Sequence, residues 1–351
     1  MAPNGGNGEV DASQHESAPI EVAPLPECPI VRDFSPPVRG PKIMSCYLWG
    51  DTMDDEWVDL DPIRVSPEAA CMIMQERDRW CEDGGAGNLW ACLSALGLEV
   101  KYQQIYGVSK KTRFMARGHQ VFRIDDDTHM DAGERSTRAG SIIQAVRDKA
   151  PETMLIISDY GKGAVLTPND AEALEQVLAL NWHTVVLDPH PRNLHKALGA
   201  LYDSAASNVI VKANTVEFGH CNCGGQPDFD WEGDFDAVIE GVYKWSPCRD
   251  RINWIVTCGR RGVVLAPKAG SPADRGPVYI ARGFPCRVVH SIGAGDAFMA
   301  GLCVALSYRH SLTTATYFAH LVAQTSVEMP YCGRPTLNDV MAYDMWRRQK
   351  E

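Results

Sequence analysis

The chain has 351 residues, enough for one large α/β domain or two smaller ones, and its 45% hydrophobic and 23% charged shares are those of a globular protein with a sizeable core. The 34 Lys+Arg against 45 Asp+Glu leave a formal charge of -11, which argues against broad binding to nucleic acid or to anionic membrane. No run of about 18 apolar residues offers a transmembrane helix, the acidic N-terminus does not read as a secretory signal, and the 12 cysteines lack the close spacing of a disulfide scaffold. Reduced thiols in a cytoplasmic protein are the simplest account.

Residues 1–40 are rich in Gly, Pro, Glu, Asp and Ser and cannot bury enough apolar surface to offset ordering entropy, so they are expected to form a disordered tail before an ordered domain at 41–347. A first strand is expected over Ile43–Trp49, stopping at Gly50-Asp51. The segments at about 51–80 and 98–125 carry short β-like runs such as Gln120–Ile124 and read as a small β lid that closes over a ligand and excludes water. Asp51 and Asp55 in that stretch are acceptor-only groups suited to hydroxyls, whereas a plain polar turn serves as well for Asp54 and Glu56. Trp49, Trp57, Trp80 and Trp90 are read as packing residues of core or lid.

From about residue 150 strands and helices alternate. Met154–Ser158 is an apolar run suited to a buried parallel strand. Thr167-Pro168 is expected to open a helix through Leu180, with Thr as cap and Pro at the first position. Strands follow at Thr184–Leu187, Val209–Val211 and Trp254–Thr257, then a broken helical region from Ala294 to Arg347. This order predicts a doubly wound, mostly parallel sheet flanked by helices, with ligands beyond the carboxyl ends of the strands. Asp51, Asp159, Asp188, Lys212 and Asn214 each fall just after a strand. His220-Cys221-Asn222-Cys223 offers metal-ligand types, but with no second close Cys/His pair it reads as thiols in an irregular loop.

The strongest local signal is Gly293-Ala294-Gly295-Asp296 before a helix-compatible run. Two glycines admit a ligand close to the backbone, and the free amides of the following helix start make an anion site. Asp296 on its first turn can accept a proton from an attacking hydroxyl, or can simply cap the helix. Lys111, Arg113, Arg117 and Arg123 gather cations in an acidic chain, suited to phosphate oxygens or forming a solvated basic strand face. Lys162, between glycines, is within reach of a phosphate but outside any Walker loop.

Gly293–Asp296 resembles the C-terminal signature of the ribokinase (PfkB) family of sugar kinases. The resemblance implies a ribokinase-like fold, Asp296 as catalytic base, and the amides of Gly293, Ala294 and Gly295 as anion hole. Where the family has an Asp three positions before the first glycine, this chain has His290. Gly84-Gly85-Ala86-Gly87-Asn88 resembles the family's sugar-contacting Gly-Gly signature. Asn214-Thr215-Val216-Glu217 resembles its Asn-x-x-Glu motif, which implies a hold on Mg2+ through water. Thr257-Cys258-Gly259-Arg260-Arg261-Gly262 resembles its nucleotide turn, implying that Thr257, Gly259 and Gly262, with Lys212, Asn214 and Glu217, bind ATP.

A narrower resemblance is to the bacterial heptose 7-phosphate kinases. Gly50–Asp55, Arg64–Ala69, Arg113–Asp125 and Ser158-Asp159-Tyr160-Gly161-Lys162-Gly163 carry it, across roughly residues 42–330, and a kinase domain without a nucleotidyltransferase half is expected. What it implies is ATP-dependent phosphorylation of O1 of D-glycero-β-D-manno-heptose 7-phosphate. Asp51, Asp55, Gly84, Gly85, Asn88, Lys111, Arg113, Arg117, Asp159 and Lys162 would hold the sugar phosphate. ATP and Mg2+ are the implied cofactors, with a monovalent cation as an open addition. A kinase for another sugar, an inactive sugar- or nucleotide-binding homologue, and a homodimer through the lid stay open at this point.

Overall fold

Apolar runs and amphipathic segments become strands and helices in turn in the computed structural model, which describes residues 44–102, 109–127, 130–220, 235–272, 274, 276–280 and 287–349. The 1–40 tail, Cys221 and Cys223 lie outside the described residues. The chain begins with β1 (Ser45–Gly50), β2 (Thr52–Val65), β3 (Met72–Gly85) and α1 (Ala86–Ala95), then β4 (Lys101–Tyr102), β5 (Ser109–Ala116) and β6 (His119–Asp127). It continues through α2 (Ala132–Val146), β7 (Thr153–Ser158), α3 (Glu172–Leu178), β8 (Thr184–Asp188), α4 (Leu194–Tyr202), β9 (Asn208–Asn214) and α5 (Thr215–Gly219). After these come α6 (Phe235–Trp245), β10 (Ile252–Thr257), β11 (Val263–Ala266), β12 (Val278–Ile280), α7 (Ala294–Ser307), α8 (Leu312–Val327) and α9 (Leu337–Arg348).

The large sheet runs in the order β12, β11, β10, β9, β8, β7, β1, β4. From β10 to β4 all neighbours are parallel, while β11 and β12 add an antiparallel edge. Both faces are covered, so alternate residues of one strand enter different cores, as period-2 geometry requires. Leu155, Ile157, Val185, Leu187, Val209 and Val211 pack with residues of α2, α3, α4 and α6. Met154, Ile156, Val186 and Ile210 pack with α1, α7 and α8 on the other side. From β1 the sheet extends to β4 on one side and to β7 on the other, so the topological switch flanks β1, where such folds collect ligands.

A second sheet of four strands, ordered β3, β2, β5, β6, is formed by the segments that broke the alternation. Its inner face meets the main body through Trp57, Met115 and Cys332, with Trp80 and Ile292 half-buried beside them. Trp57 stacks on Trp80 at 6.3 Å, and Trp80 meets Tyr331 edge-on at 4.8 Å. Trp49 lies in the main core and Trp90 stacks on Tyr102, so each tryptophan is in a packing role.

Two local expectations are corrected. The helix expected from Thr167 begins only at Glu172, because Thr167 and Asp170 close a tight turn through both backbone amides (2.8 and 3.2 Å). The Asp170 carboxylate, not the Thr167 hydroxyl, accepts from the Glu172 amide. Asp54 and Glu56 belong to β2 rather than to a turn, and Glu56 is buried against Lys110, Thr112 and Arg79.

Candidate active site

The site is built on the carboxyl ends of β1, β7, β8 and β9, with the start of α7 opposite them. Gly50 ends β1 against β7, and a side chain there would collide with the Ser158 carbonyl oxygen. Asp51 follows, wholly buried. Its carboxylate accepts from the amides of Tyr160 (2.8 Å), Lys162 (3.0 Å) and Ala164 (2.7 Å), so the Ser158–Gly163 string is wrapped around it. Asp159 is spent in the same way, on the amides of Gly161 and His190 and on the side chain of Asn193, and burial followed by repulsion from Asp51 pushes its pKa up. Both carboxylates, expected at the sugar, are engaged in shaping the loops around them.

Gly85 sits at φ +59°, where a Cβ would also strike the Asp51 carbonyl oxygen. Gly85→Ala is expected to cost about 2 kcal/mol or more of stability, from left-handed strain plus collision, seen as a lower midpoint in urea unfolding. The turn delivers α1, whose Asn88 donates from Nδ2 to Asp296 Oδ2 at 2.7 Å and accepts from Arg334 Nε at 3.1 Å.

Gly293 (φ +77°) starts α7 with no side-chain cap, so the amides of Gly295 and Asp296 on the first turn have no helical partners. Asp296 is buried on the first turn. Tyr160 donates its hydroxyl to Oδ1 at 2.7 Å, opposite Asn88 on Oδ2. Burial, helped by repulsion from Asp188 and opposed by these two donors and by Lys212, raises the Asp296 pKa to about 6. A carboxyl so tuned is ionised at neutral pH and can accept a proton.

Lys212, the fifth residue of β9, reaches both oxygens of Asp188 (3.0 and 2.8 Å). Its ammonium would lie 3.2 Å from a Cβ at Gly295, so glycine there lets a positive charge sit beneath the helix start. Burial works against that charge, but Asp188, Glu217 and Asp296 more than offset it and hold the Lys212 pKa above its ordinary value. Asn214 and Glu217 form a reciprocal cap on α5: Asn214 accepts from the Glu217 amide, and Glu217 accepts from the Asn214 amide and side chain. Burial, then repulsion from Asp188, pushes the Glu217 carboxyl up. Three carboxylates around one ammonium leave this corner short of positive charge, which fits Mg2+ held through its own water shell, although no group of three metal-ligating side chains occurs among the described residues. Thr257, paired in register with Asn214, begins the turn in which Gly259 (φ +54°) and Gly262 (φ +105°) reverse the chain into β11.

On the small sheet, Gly84 lies where a Cβ would press on Asp55 Oδ2 at 2.7 Å. Asp55 pairs with Arg113 at 3.0 Å, both buried, and the Arg113 guanidinium lies 5.3 Å over the Trp57 ring. Among the described residues, Arg113 Nε and Nη1 find no hydrogen-bond partner. Lys111 points at the Tyr160 ring (5.5 Å), and burial pushes its ammonium pKa down. Lys162 pairs with Asp127. Arg117 is not brought to this place: with Gly118 it forms the two-residue β5–β6 turn, both at positive φ, and it is exposed. Sequence reasoning missed Tyr160 and Arg334 as partners of this site; Tyr160 lies within Ser158–Gly163, but no spacing rule marks its hydroxyl.

Together, an open helix start, a buried carboxylate and a lysine meet at the switch of a parallel sheet, an arrangement suited to phosphoryl transfer. Residues 239–339 match the family model described as pfkB family carbohydrate kinase. The chain is 24% identical over 304 residues to the bifunctional protein HldE of Desulfatibacillum aliphaticivorans (78% of this chain, 58% of that one). It is 27% identical over 315 residues to that of Rhodospirillum rubrum (78% and 57%). It thus spans 57–58% of the length of these relatives. Among solved structures it resembles ribokinase from Thermotoga maritima (TM-score 0.59, 16% identity, covering 86% of this chain and 99% of that one). It also resembles a phosphofructokinase-2 from Escherichia coli (TM-score 0.63, 13% identity, 87% and 99%). The chain has a ribokinase-like fold and, over residues 239–339, the sequence pattern of the pfkB family of carbohydrate kinases.

Proposed function

We propose that this kinase transfers the γ-phosphoryl group of ATP to a hydroxyl of a sugar that already bears a phosphate, D-glycero-β-D-manno-heptose 7-phosphate at O1. The observation that carries the kinase step is Asp296, gripped by Asn88 and Tyr160 at the open start of α7. Asp296 takes the proton of the attacking hydroxyl as its oxygen bonds to phosphorus and the bond to the ADP oxygen breaks. The amides at 293–296 and Lys212 steady the charge on the moving group. Asn214 and Glu217 would hold Mg2+ through water, and the charge it would supply there is what ATP phosphates need neutralised. Thr257, Gly259 and Gly262 line the nucleotide side, with Asp51 and Asp159 setting the loops beneath the sugar.

Support for a phosphorylated acceptor comes from the small sheet: buried Arg113 has two donor nitrogens without a partner among the described residues, and Lys111 is a half-buried cation beside it. Lys111→Met is expected to raise KM for the sugar phosphate about tenfold and leave KM for ATP within about twofold. ADP release over a panel of free and phosphorylated heptoses, hexoses and pentoses tests the whole reading. Turnover restricted to unphosphorylated sugars would sink the acceptor assignment, and no turnover with any sugar would sink the kinase reading itself. Exposed apolar side chains at Ile63, Phe122 and Ile124 on the small sheet support pairing of two copies through that sheet, which sedimentation velocity would reveal. No helix among the described residues is long and apolar enough to cross a membrane, which suits the cytoplasmic setting proposed.

A further inference from the structure

Tyr160 has the geometry of a device rather than of packing. Its backbone amide donates to Asp51 Oδ2, so a buried carboxylate fixes where the residue begins. Its phenol ends on Asp296 Oδ1 at 2.7 Å, and its ring carries Lys111 at 5.5 Å. Burial, followed by the charges of Asp296 and Asp188, keeps the phenol protonated far above neutral pH, so its proton is always available to donate. A carboxylate oxygen has two lone pairs; with Tyr160 on one oxygen and Asn88 on the other, each retains one for an incoming hydroxyl.

We propose that Tyr160 is the positioning residue of the base: bolted to Asp51 at its amide, it locks the Asp296 carboxylate in the orientation that receives the acceptor's proton. This rests on the reading of Asp296 as base. The groups that face Asp296 are Asn88 and Cys92 from α1, Tyr160, Asp188 from β8, Lys212 from β9 and Cys332 after α8. Among these only Tyr160 and Asn88 donate hydrogen bonds to the carboxylate among the described residues. Losing the phenol removes a donor that favours the ionised carboxylate, so the acid must weaken.

Tyr160→Phe is expected to lower kcat about 10- to 100-fold, with both KM values within about twofold, because a charge-assisted hydrogen bond is lost and no substrate contact is. The acid limb of kcat/KM should move to higher pH by about one unit. Replacing Tyr160 with 3-fluorotyrosine, isosteric and a stronger donor, should move that limb the other way, which keeps the test alive if the phenylalanine variant folds poorly. The titration of the Asp296 carboxyl carbon, followed by 13C NMR without substrates, should shift in the same two directions. A limb and a carboxyl titration that stay put in both variants overturn the proposal, even if kcat falls. Should the unsubstituted protein phosphorylate no sugar, the kinase reading fails, and the NMR titration alone still decides what Tyr160 does.

Discussion

Asp296→Asn is expected to lower kcat by about 10²- to 10⁴-fold, the range that general-base catalysis supplies, while ATP still binds and the fold persists. The exchange is nearly isosteric and the buried hydrogen bonds can be kept. The new amide's oxygen can face Asn88 Nδ2, which lies 2.7 Å from the present Oδ2 and cannot turn without losing Arg334. Its amide nitrogen can then donate to the Tyr160 oxygen, reversing that bond. What disappears is the basic lone pair. The native protein should also show the titration that the variant lacks. A base works only when ionised, and the Asp296 pKa is raised to about 6, so with Asp296 in the proposed role kcat/KM should fall about tenfold for each pH unit below that value and level off above it. Single-turnover phosphoryl transfer measured from pH 5 to 8 in both proteins checks both points. A variant with more than about a tenth of native kcat would remove Asp296 from the role of base.

Much of this was legible in the sequence, for identifiable reasons. Strand cores such as Met154–Ser158 are continuous apolar runs because both faces of the large sheet are covered, and such runs survive as a signal without an alignment. Gly293–Asp296 was legible because the backbone needs what only glycine gives, a left-handed residue at 293 and no side chain above Lys212 at 295. Charge type could be read; charge partner could not. Asp51, Asp159 and Lys162 read as ligand groups, and three-dimensional closure also sets them against backbone amides, Asn193 and Asp127. Arg117 belonged to the same basic stretch as Arg113, but a two-residue turn carries it to the outer tip while its neighbour faces Asp55. Asn-x-x-Glu reads equally as a capping box and as a phosphate motif, and here the box is formed. Tyr160 reaches a carboxylate 136 positions away in the chain, a pairing that no local pattern encodes.

Lys212→Met should cost about 3–5 kcal/mol of stability near neutral pH, since it strips the cation from a buried pair and leaves the carboxylate behind. Lys212 is 3% exposed and holds both Asp188 oxygens, with Glu217 and Asp296 also acting on it. Methionine keeps the stem's packing, so the loss isolates the charge. Its pH dependence has a definite sign. Without the ammonium, the folded pKa of Asp188 rises further above its unfolded value, because burial is no longer opposed. The folded state then binds more protons than the unfolded one between the ordinary carboxylate value, about 4, and that raised value, so stability falls as pH climbs through this window. The variant's deficit should therefore be larger at pH 8 than at pH 5 in urea unfolding, whereas a purely steric defect would be the same at both. Adding Asp188→Leu should restore a good part of the lost stability, as removing both members of a buried pair does. It should not restore phosphoryl transfer, because the positive charge beneath Gly295 is what the start of α7 lacks once Lys212 is gone. Stability and turnover would then part company in one double variant, separating the lysine's structural pairing from its place beside the transferred group.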